Sequence, residues 1–282
     1  MTTTQTTGPG GRQLLNKVPE VTLWFWLIKV LCTTVGETFA DNLNEKLGLG
    51  LTNLSYLMAA ALAVVLVVQF RTRRYIPAVY WLAVVLISVV GTLITDNLTD
   101  NAGVSLVTTT VVFSVVLAAV FAGWYASERT LSIHSIFTPR REAWYWLAIL
   151  FTFALGTAAG DLTAERLDVG YWKSALLFAA AIAVVTAVHY SLKGRSGTDR
   201  ARHDTNAVLA FWLAYILTRP LGASLGDYLS QPNDAGGLNL GTVRTSYLFL
   251  GAILALVVYL TVTRRDEIPV GSDEPQDAAS RR

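Results

Sequence analysis

Long hydrophobic runs separated by short polar segments dominate the pattern of this chain. Four of the runs contain no charged side chain, namely Leu57–Val68, Val104–Val120, Ala175–Val188 and Tyr247–Val262. A helix needs about 20 mostly apolar residues to cross a hydrocarbon core roughly 30 Å thick. The pattern therefore predicts eight transmembrane helices, at residues 20–42, 51–69, 75–96, 103–124, 142–161, 172–192, 206–227 and 243–263.

The composition supports a membrane protein. Of the 282 residues, 53% are hydrophobic and 15% are charged, whereas a soluble domain carries about 25% charged residues. We therefore expect an all-α protein in contact with the lipid bilayer. The net charge of +2 gives no sign of a nucleic-acid partner. Residues 1–18 and 266–282 are polar, so we expect a disordered arm and a disordered tail around a transmembrane domain at 19–265.

Lysine and arginine residues concentrate on one side of the predicted spans. Sixteen lie in the N-terminal arm, the even-numbered connections and the tail. The odd-numbered connections hold only Lys46, Arg166, Lys173 and Arg244. Because positively charged loops remain in the cytoplasm, both termini are expected to be cytoplasmic and the odd connections to lie outside.

A spacing of Trp-x9-Gly-x4-Asp occurs four times in the chain. The four copies are Trp26, Gly36 and Asp41; Trp81, Gly91 and Asp96; Trp146, Gly156 and Asp161; and Trp212, Gly222 and Asp227. They define repeats at about 20–70, 75–127, 140–193 and 205–264, each with two predicted helices. All four repeats therefore enter the membrane in the same direction, which predicts a pseudo-four-fold bundle. We expect the odd helices, which carry the motif, to lie inside and the apolar even helices to face lipid.

This repeated motif resembles a bacterial family of multi-pass membrane proteins built from four tandem two-helix repeats of unknown function. The resemblance covers roughly residues 17–265 and implies location in the bacterial plasma (inner) membrane. It supplies no established chemistry, so the function has to be argued from the residues.

The motif tryptophans and glycines each allow two interpretations. The tryptophans either line a pore or pack between repeats, and packing is favoured because they lie below the membrane interface. The glycines either break their helices beside a cavity or let neighbouring helices approach closely, and close packing is again favoured.

The four aspartates are the most informative residues of the motif. Each is predicted at the outer end of its helix, where the helix dipole disfavours a carboxylate. One interpretation is structural: the aspartates end the helices in Asx-type turns or pair with Lys173 and Arg244. The other is an acidic ring that attracts a cation, as charged rings do in channels.

Three further charged residues lie within predicted spans. Glu37 stands four residues before Asp41 on the same helix face and has no acidic counterpart in the other repeats. Lys29 lies near mid-membrane and needs either a wet cavity or a counter-charge, for which Glu37 is the nearest candidate in sequence. Arg219 is followed by Pro220, and an Arg219–Glu37 pair would close the bundle between the fourth and first repeats and would support a purely structural role for Glu37.

The sequence contains no nucleotide-binding loop, nucleophile elbow, metalloprotease motif or cofactor signature, so neither an enzyme nor a cofactor is expected. The leading hypothesis is a transporter or channel for a cation, with oxygen ligands that favour a hard divalent ion. The proposed ligands are Asp41, Asp96, Asp161, Asp227 and Glu37, and the first repeat, with Asp41 and Glu37, is the strongest metal candidate. The alternatives are a non-transporting scaffold or assembly protein, and a transporter of a small organic solute or anion that uses Lys29 and Arg219.

Overall fold

Eight long helices make up almost all of the computed structural model, which describes residues 16–195 and 200–266. They are α1 (Leu23–Leu47), α2 (Gly50–Arg71), α3 (Pro77–Asp96), α4 (Leu106–Glu128), α5 (Pro139–Asp161), α6 (Tyr171–Arg195), α7 (Arg200–Ser230) and α8 (Thr242–Thr263). Over the described residues there is no β-strand, and all eight helices are long and apolar enough to cross a membrane. The expected all-α membrane architecture is confirmed.

The helices form two concentric layers. The four odd helices contact one another in the closed order α1–α3–α5–α7–α1, so that α1 faces α5 and α3 faces α7 across the centre. Between 50 and 72% of the residues in the apolar segment of each odd helix are buried, against 6 to 28% for the even helices. The expected inner layer of odd helices is confirmed, and the even helices expose the apolar surface that suits lipid.

Each even helix packs mainly against the odd helix of the next repeat rather than that of its own. Thus α2 lies on α3, α4 on α5 and α6 on α7, while α8 returns to α1 and completes the circle. The contact between α1 and α2, which belong to one repeat, is much smaller. A repeat therefore buries its inner helix only with the help of its neighbours.

The motif glycines lie where neighbouring inner helices cross. A Cβ atom added at Gly36, Gly91, Gly156 or Gly222 would lie closer than 3.0 Å to a side chain of the following inner helix. Those neighbours are Ser88, Phe153, Arg219 and Thr33, and each stands three residues before its own motif glycine. The same crossing is therefore used four times around the ring, including the closure of α7 on α1, and the glycines serve close packing.

A layer of aromatic rings fills the bundle near the tryptophans. The residue before each motif tryptophan is aromatic and packs on the tryptophan of the next repeat. The pairs, with their ring-centroid distances, are Phe25–Trp81 (5.7 Å), Tyr80–Trp146 (5.5 Å), Tyr145–Trp212 (6.3 Å) and Phe211–Trp26 (5.7 Å). Trp81, Trp146 and Trp212 are buried. The tryptophans thus pack between repeats, as the favoured interpretation has it.

The inner helices extend further at the aspartate end than the hydrophobic pattern predicted. The helix α1 ends at Leu47 rather than near residue 42. After Asp96 and Asp161, α3 and α5 continue as π-helical turns at Asn97–Asn101 and Leu162–Arg166. The hydrophobic pattern locates only the segment that suits lipid. The helices extend beyond that segment because backbone hydrogen bonding continues through the polar residues that follow.

The chain just before α1 crosses the opposite end of the bundle, next to the tryptophans. Lys17 Nζ donates to Glu142 Oε2 (2.7 Å) near the start of α5 and to the carbonyl of Phe70 (3.0 Å). The backbone N–H of Glu20 donates to the carbonyl of Asp266 after α8. Since α5 and α1 face each other, residues 16–22 run over the centre, with Val18 in the core. Residues 16–18, assigned to a disordered arm, are packed here; the rest of that arm and residues 267–282 lie outside the described residues.

The glycine crossings predict a difference between two glycine-to-alanine substitutions. Gly91→Ala would bring a methyl group within 2.8 Å of Phe153 Cβ and 3.1 Å of the backbone nitrogen of Ala154. We expect it to lower the free energy of unfolding by about 1–3 kcal/mol, because overpacking forces rigid neighbours apart. The measurement is the thermal melting of the purified protein in detergent.

Gly251→Ala is the matched control, because nothing lies within 4 Å of its added Cβ on the outer helix α8. We expect this variant to melt at or slightly above the wild-type temperature, since alanine favours helices. Equal melting temperatures for the two variants would contradict the crossing.

Candidate functional site

A polar cavity opens between the inner helices at their aspartate end. It has a volume of about 410 Å³. All five acids predicted from the sequence line it, namely Asp41, Asp96, Asp161, Asp227 and Glu37. Each inner helix contributes, because the identical motif spacing places its aspartate at the same height. Among the described residues, no lysine or arginine lines this cavity, so the ionisable groups of its walls are all acidic.

Three of the carboxylates come together at one point. One oxygen each of Glu37, Asp161 and Asp227 lies within 4.8 Å of the others, and we refer to these three residues as the carboxylate triad. Glu37 and Asp227 are buried, each with 7% of its surface exposed. The triad draws ligands from α1, α5 and α7, which is the spacing a shared cation would bridge.

The structure brings Glu37 together with Asp161 and Asp227 rather than with Asp41, which the sequence had paired with it as a metal ligand. Asp41 lines the cavity but is not a member of the triad. Glu37 lies one helical turn further from the aspartate end, where the inner helices converge. Its partners at that depth are acids from α5 and α7 rather than the next acid on its own helix.

Two further acids line the cavity that the sequence reasoning missed. Asp100 and Glu165 lie on the π-helical turns that continue α3 and α5. A repeated signal was present, since the residue four positions after each motif aspartate is Glu45, Asp100, Glu165 or Gln231. A π-helical turn widens the helix locally and is frequent at functional sites.

Both structural interpretations of the motif aspartates are contradicted. The aspartates do not stop the helical backbone, because α1 and α7 continue beyond Asp41 and Asp227, and α3 and α5 pass into π-helical turns after Asp96 and Asp161. Among the described residues, no aspartate of the motif forms an ion pair with Lys173 or Arg244; Lys173 instead lies beside the ring of Trp172. Lys173 and Arg244 lie in the first turns of the outer helices α6 and α8.

The motif aspartates also lack hydrogen bonds from the protein. Throughout residues 16–195 and 200–266, none of their four side chains has a hydrogen-bond partner. This is unusual for carboxylates that are partly or fully buried, since such groups are normally satisfied. Asp227 is the strongest case because it is buried. Four carboxylates directed at one cavity are left for water or a ligand to satisfy.

Arg219 lies beside Glu37, just beyond the residues that line the cavity. Its Nη2 atom donates to Glu37 Oε2 (2.9 Å), to Thr157 Oγ1 (2.6 Å) and to Thr92 Oγ1, and its Nη1 atom donates to the carbonyl of Thr33 (3.1 Å). The side chain is fully buried. Starting from α7, it contacts α1, α3 and α5 and so connects all four inner helices. The Arg219–Glu37 pair expected from the sequence is present.

Lys29 lies at a deeper level, and its expected pairing with Glu37 is wrong. Its Nζ atom is fully buried without a hydrogen-bond partner in the described part of the chain. It lies 4.0 Å from the ring centre of Phe153 and 4.2 Å from that of Tyr215. Glu37 is paired with Arg219 instead, and Lys29 faces two aromatic rings whose π-electrons attract a cation.

The cavity therefore does not continue through the bundle. Below the carboxylate triad come Arg219, then Lys29 and Phe153, and then the aromatic layer around the tryptophans, all of which are fully or largely buried. This arrangement is a one-ended polar cavity above a filled core.

Comparisons with known proteins agree with the repeat. The family model described as "Repeat of Unknown Function (DUF347)" matches the chain four times, at residues 24–75, 79–130, 144–195 and 210–266. No curated protein and no solved structure matches the chain. The four matches coincide with the four units that share the glycine crossings and the aromatic pairs. The chain therefore belongs to the family of proteins with the Repeat of Unknown Function (DUF347).

Proposed function

We propose that this protein binds a hard divalent cation such as Mn²⁺ or Mg²⁺ in the acidic cavity, as a step in transporting it across the bacterial plasma membrane. The observation that carries the proposal is the carboxylate triad, three carboxylates from different helices with oxygen atoms within 4.8 Å of one another. Four further acids line the cavity around them.

The chemistry of the cavity supports this class of ion. All of its titratable side chains are carboxylates, and the amide and hydroxyl oxygens of Asn44, Thr99 and Gln231 also line it. Neither a histidine nor the single cysteine lines it. Hard cations prefer such oxygen ligands, whereas zinc and copper favour nitrogen and sulfur.

The electrostatics of the cavity also favour a bound cation. Carboxylates within a few ångströms repel one another, and the repulsion is stronger in a partly dehydrated cavity than in water. Arg219 compensates one of these charges through Glu37. A divalent cation would relieve much of the remaining repulsion.

Transport additionally requires the filled core to open. We infer that the described conformation is the one open at the aspartate end, which faces the periplasm if the basic loops are cytoplasmic. In a second conformation the aromatic layer would separate and the cavity would close at the aspartate end. Such alternation is the usual way in which a transporter with one central site works.

A non-transporting scaffold is the second candidate, and the filled core favours it. Arg219 and the aromatic layer connect all the inner helices as a purely structural core would. Transport of an anion is less well supported, because neither Lys29 nor Arg219 lines the cavity.

Neutralising one acid of the triad tests the cation site. We expect Mn²⁺ to raise the melting temperature of the wild-type protein in detergent, because a ligand that binds only the folded state stabilises it. Asp227→Asn should remove most of this rise, yet melt at or above the wild-type temperature without Mn²⁺, because a repulsive charge is gone. Uptake of Mn²⁺ into proteoliposomes should fall in parallel.

Asp168→Asn is the control for this test, because Asp168 is exposed on a connection at the same end and does not line the cavity. Its left-handed backbone (φ 54°) also suits asparagine. The scaffold interpretation gains if Asp227→Asn loses about 1–3 kcal/mol of stability and Mn²⁺ has no effect on the wild type.

The proposed orientation is tested by cysteine labelling in a Cys32→Ser background. A cysteine at Asp168 should react with a membrane-impermeant maleimide added to intact cells, and a cysteine at Arg73 should react only after the cells are opened. These outcomes follow from the excess of basic residues in the even connections. Labelling of position 73 in intact cells would reverse the orientation.

A further inference from the structure

The side chain of Arg219 is itself a cation bound at the edge of the carboxylate triad. Its Nη2 atom lies 2.9 Å from Glu37 Oε2, and Glu37 is at the same time one of the three acids of the triad. One carboxylate is therefore shared between a positive charge that belongs to the chain and the place where an external cation would bind.

We propose that Arg219 is a specificity-determining residue, an attached cation that competes with the incoming ion for Glu37 and sets the charge that the site accepts. The inference rests on the proposed function, since it concerns the same cavity. When the three acids of the triad are ionised, they and the guanidinium carry a net charge of −2, which matches a single divalent ion better than a monovalent one.

Competition also limits how tightly an ion is held. An ion that takes both oxygens of Glu37 has to displace the guanidinium, and that cost is subtracted from its binding free energy. A transport site requires such a limit, because binding must be favourable enough for entry and weak enough for release.

The displaced guanidinium keeps other partners in this arrangement. Thr92 Oγ1, Thr157 Oγ1 and the carbonyl of Thr33 all accept hydrogen bonds from it, and none of these residues lines the cavity. These three acceptors would still hold the guanidinium of Arg219 by hydrogen bonds when Glu37 binds an ion. The hydroxyl of Thr157 should therefore affect ion affinity without touching the ion.

The same side chain also connects the site to the core below. The ring of Phe153 lies 5.7 Å from Arg219 Cζ and 4.0 Å from Lys29 Nζ. Two basic side chains thus share one aromatic ring at the centre of the bundle. The guanidinium of Arg219 is an electrostatic barrier to any cation that leaves the triad towards the aromatic layer.

The experiment measures Mn²⁺ binding to the full-length protein in detergent by isothermal titration calorimetry. We expect Arg219→Gln to bind Mn²⁺ tighter by about tenfold or more, because a like charge beside the ion is removed. Arg219→Lys keeps the charge and should stay near the wild-type affinity. Arg219→Gln should also bind Na⁺ with a measurable affinity that the wild type lacks.

Thr157→Val is a second variant that tests the inference if Arg219→Gln does not fold. We expect it to weaken Mn²⁺ binding about tenfold, because the displaced guanidinium loses a hydrogen bond. Thr152→Val is its matched control, since Thr152 lies on the same helix and donates only to the carbonyl of Ala148. This control should bind as the wild type does.

The outcomes separate the two proposals. If the wild type binds Mn²⁺ and both Arg219→Gln and Thr157→Val bind it with the same affinity, the role of Arg219 is overturned and the cation site stands. If Arg219→Gln binds Mn²⁺ and the wild type does not, the role of Arg219 is supported but cation binding by the native protein is overturned. Absence of Mn²⁺ binding by the wild type and by every variant overturns both.

Discussion

The close approach of the four inner helices is the constraint on which the rest of the structure depends. At each crossing a motif glycine meets the residue three positions before the next motif glycine. Since the crossing closes from α7 back to α1, every inner helix has the same height and tilt relative to its neighbours. The four aspartates then reach one cavity, and the aromatic residues before the tryptophans reach the next repeat. Larger residues at the crossings would separate both layers.

Within this symmetry, the charged pair at the centre of the bundle lies where the repeats differ. Position 37 is glutamate in the first repeat and Thr92 or Thr157 in the next two, and the residue that meets the third glycine is Arg219. These exceptions meet at the centre of the bundle, where the negative charge of Glu37 in the first repeat is compensated by the positive charge of Arg219 in the fourth. A symmetric ring could place acids around a cavity, but the pair of Arg219 and Glu37 at its inner end exists only because the repeats differ.

The sequence was sufficient for the spans, the two layers and the ring, because hydrophobicity and an uninterrupted spacing determine them. It also indicated the Arg219–Glu37 pair, since two isolated opposite charges in a membrane need each other. It did not reveal the triad, because the depth at which Asp161 and Asp227 approach Glu37 depends on how helices distant in sequence converge. Asp100 and Glu165 were missed because a π-helical turn is a local change of backbone geometry, and Lys29 was assigned an acid because stacking on Phe153 and Tyr215 has no sequence signature.

The displaced packing, in which an even helix lies on the inner helix of the next repeat, has a consequence for biosynthesis. When the first repeat leaves the ribosome, α1 lacks its largest neighbours, since α3, α7 and α8 are made later. The partner of Lys17 is 125 positions away, and Arg219 reaches a carbonyl 186 positions before it. The buried polar groups of α1 therefore lack their partners until the fourth repeat has been synthesised. The inner ring closes only when the last repeat packs against the first, so the four repeats are not independent units of structure.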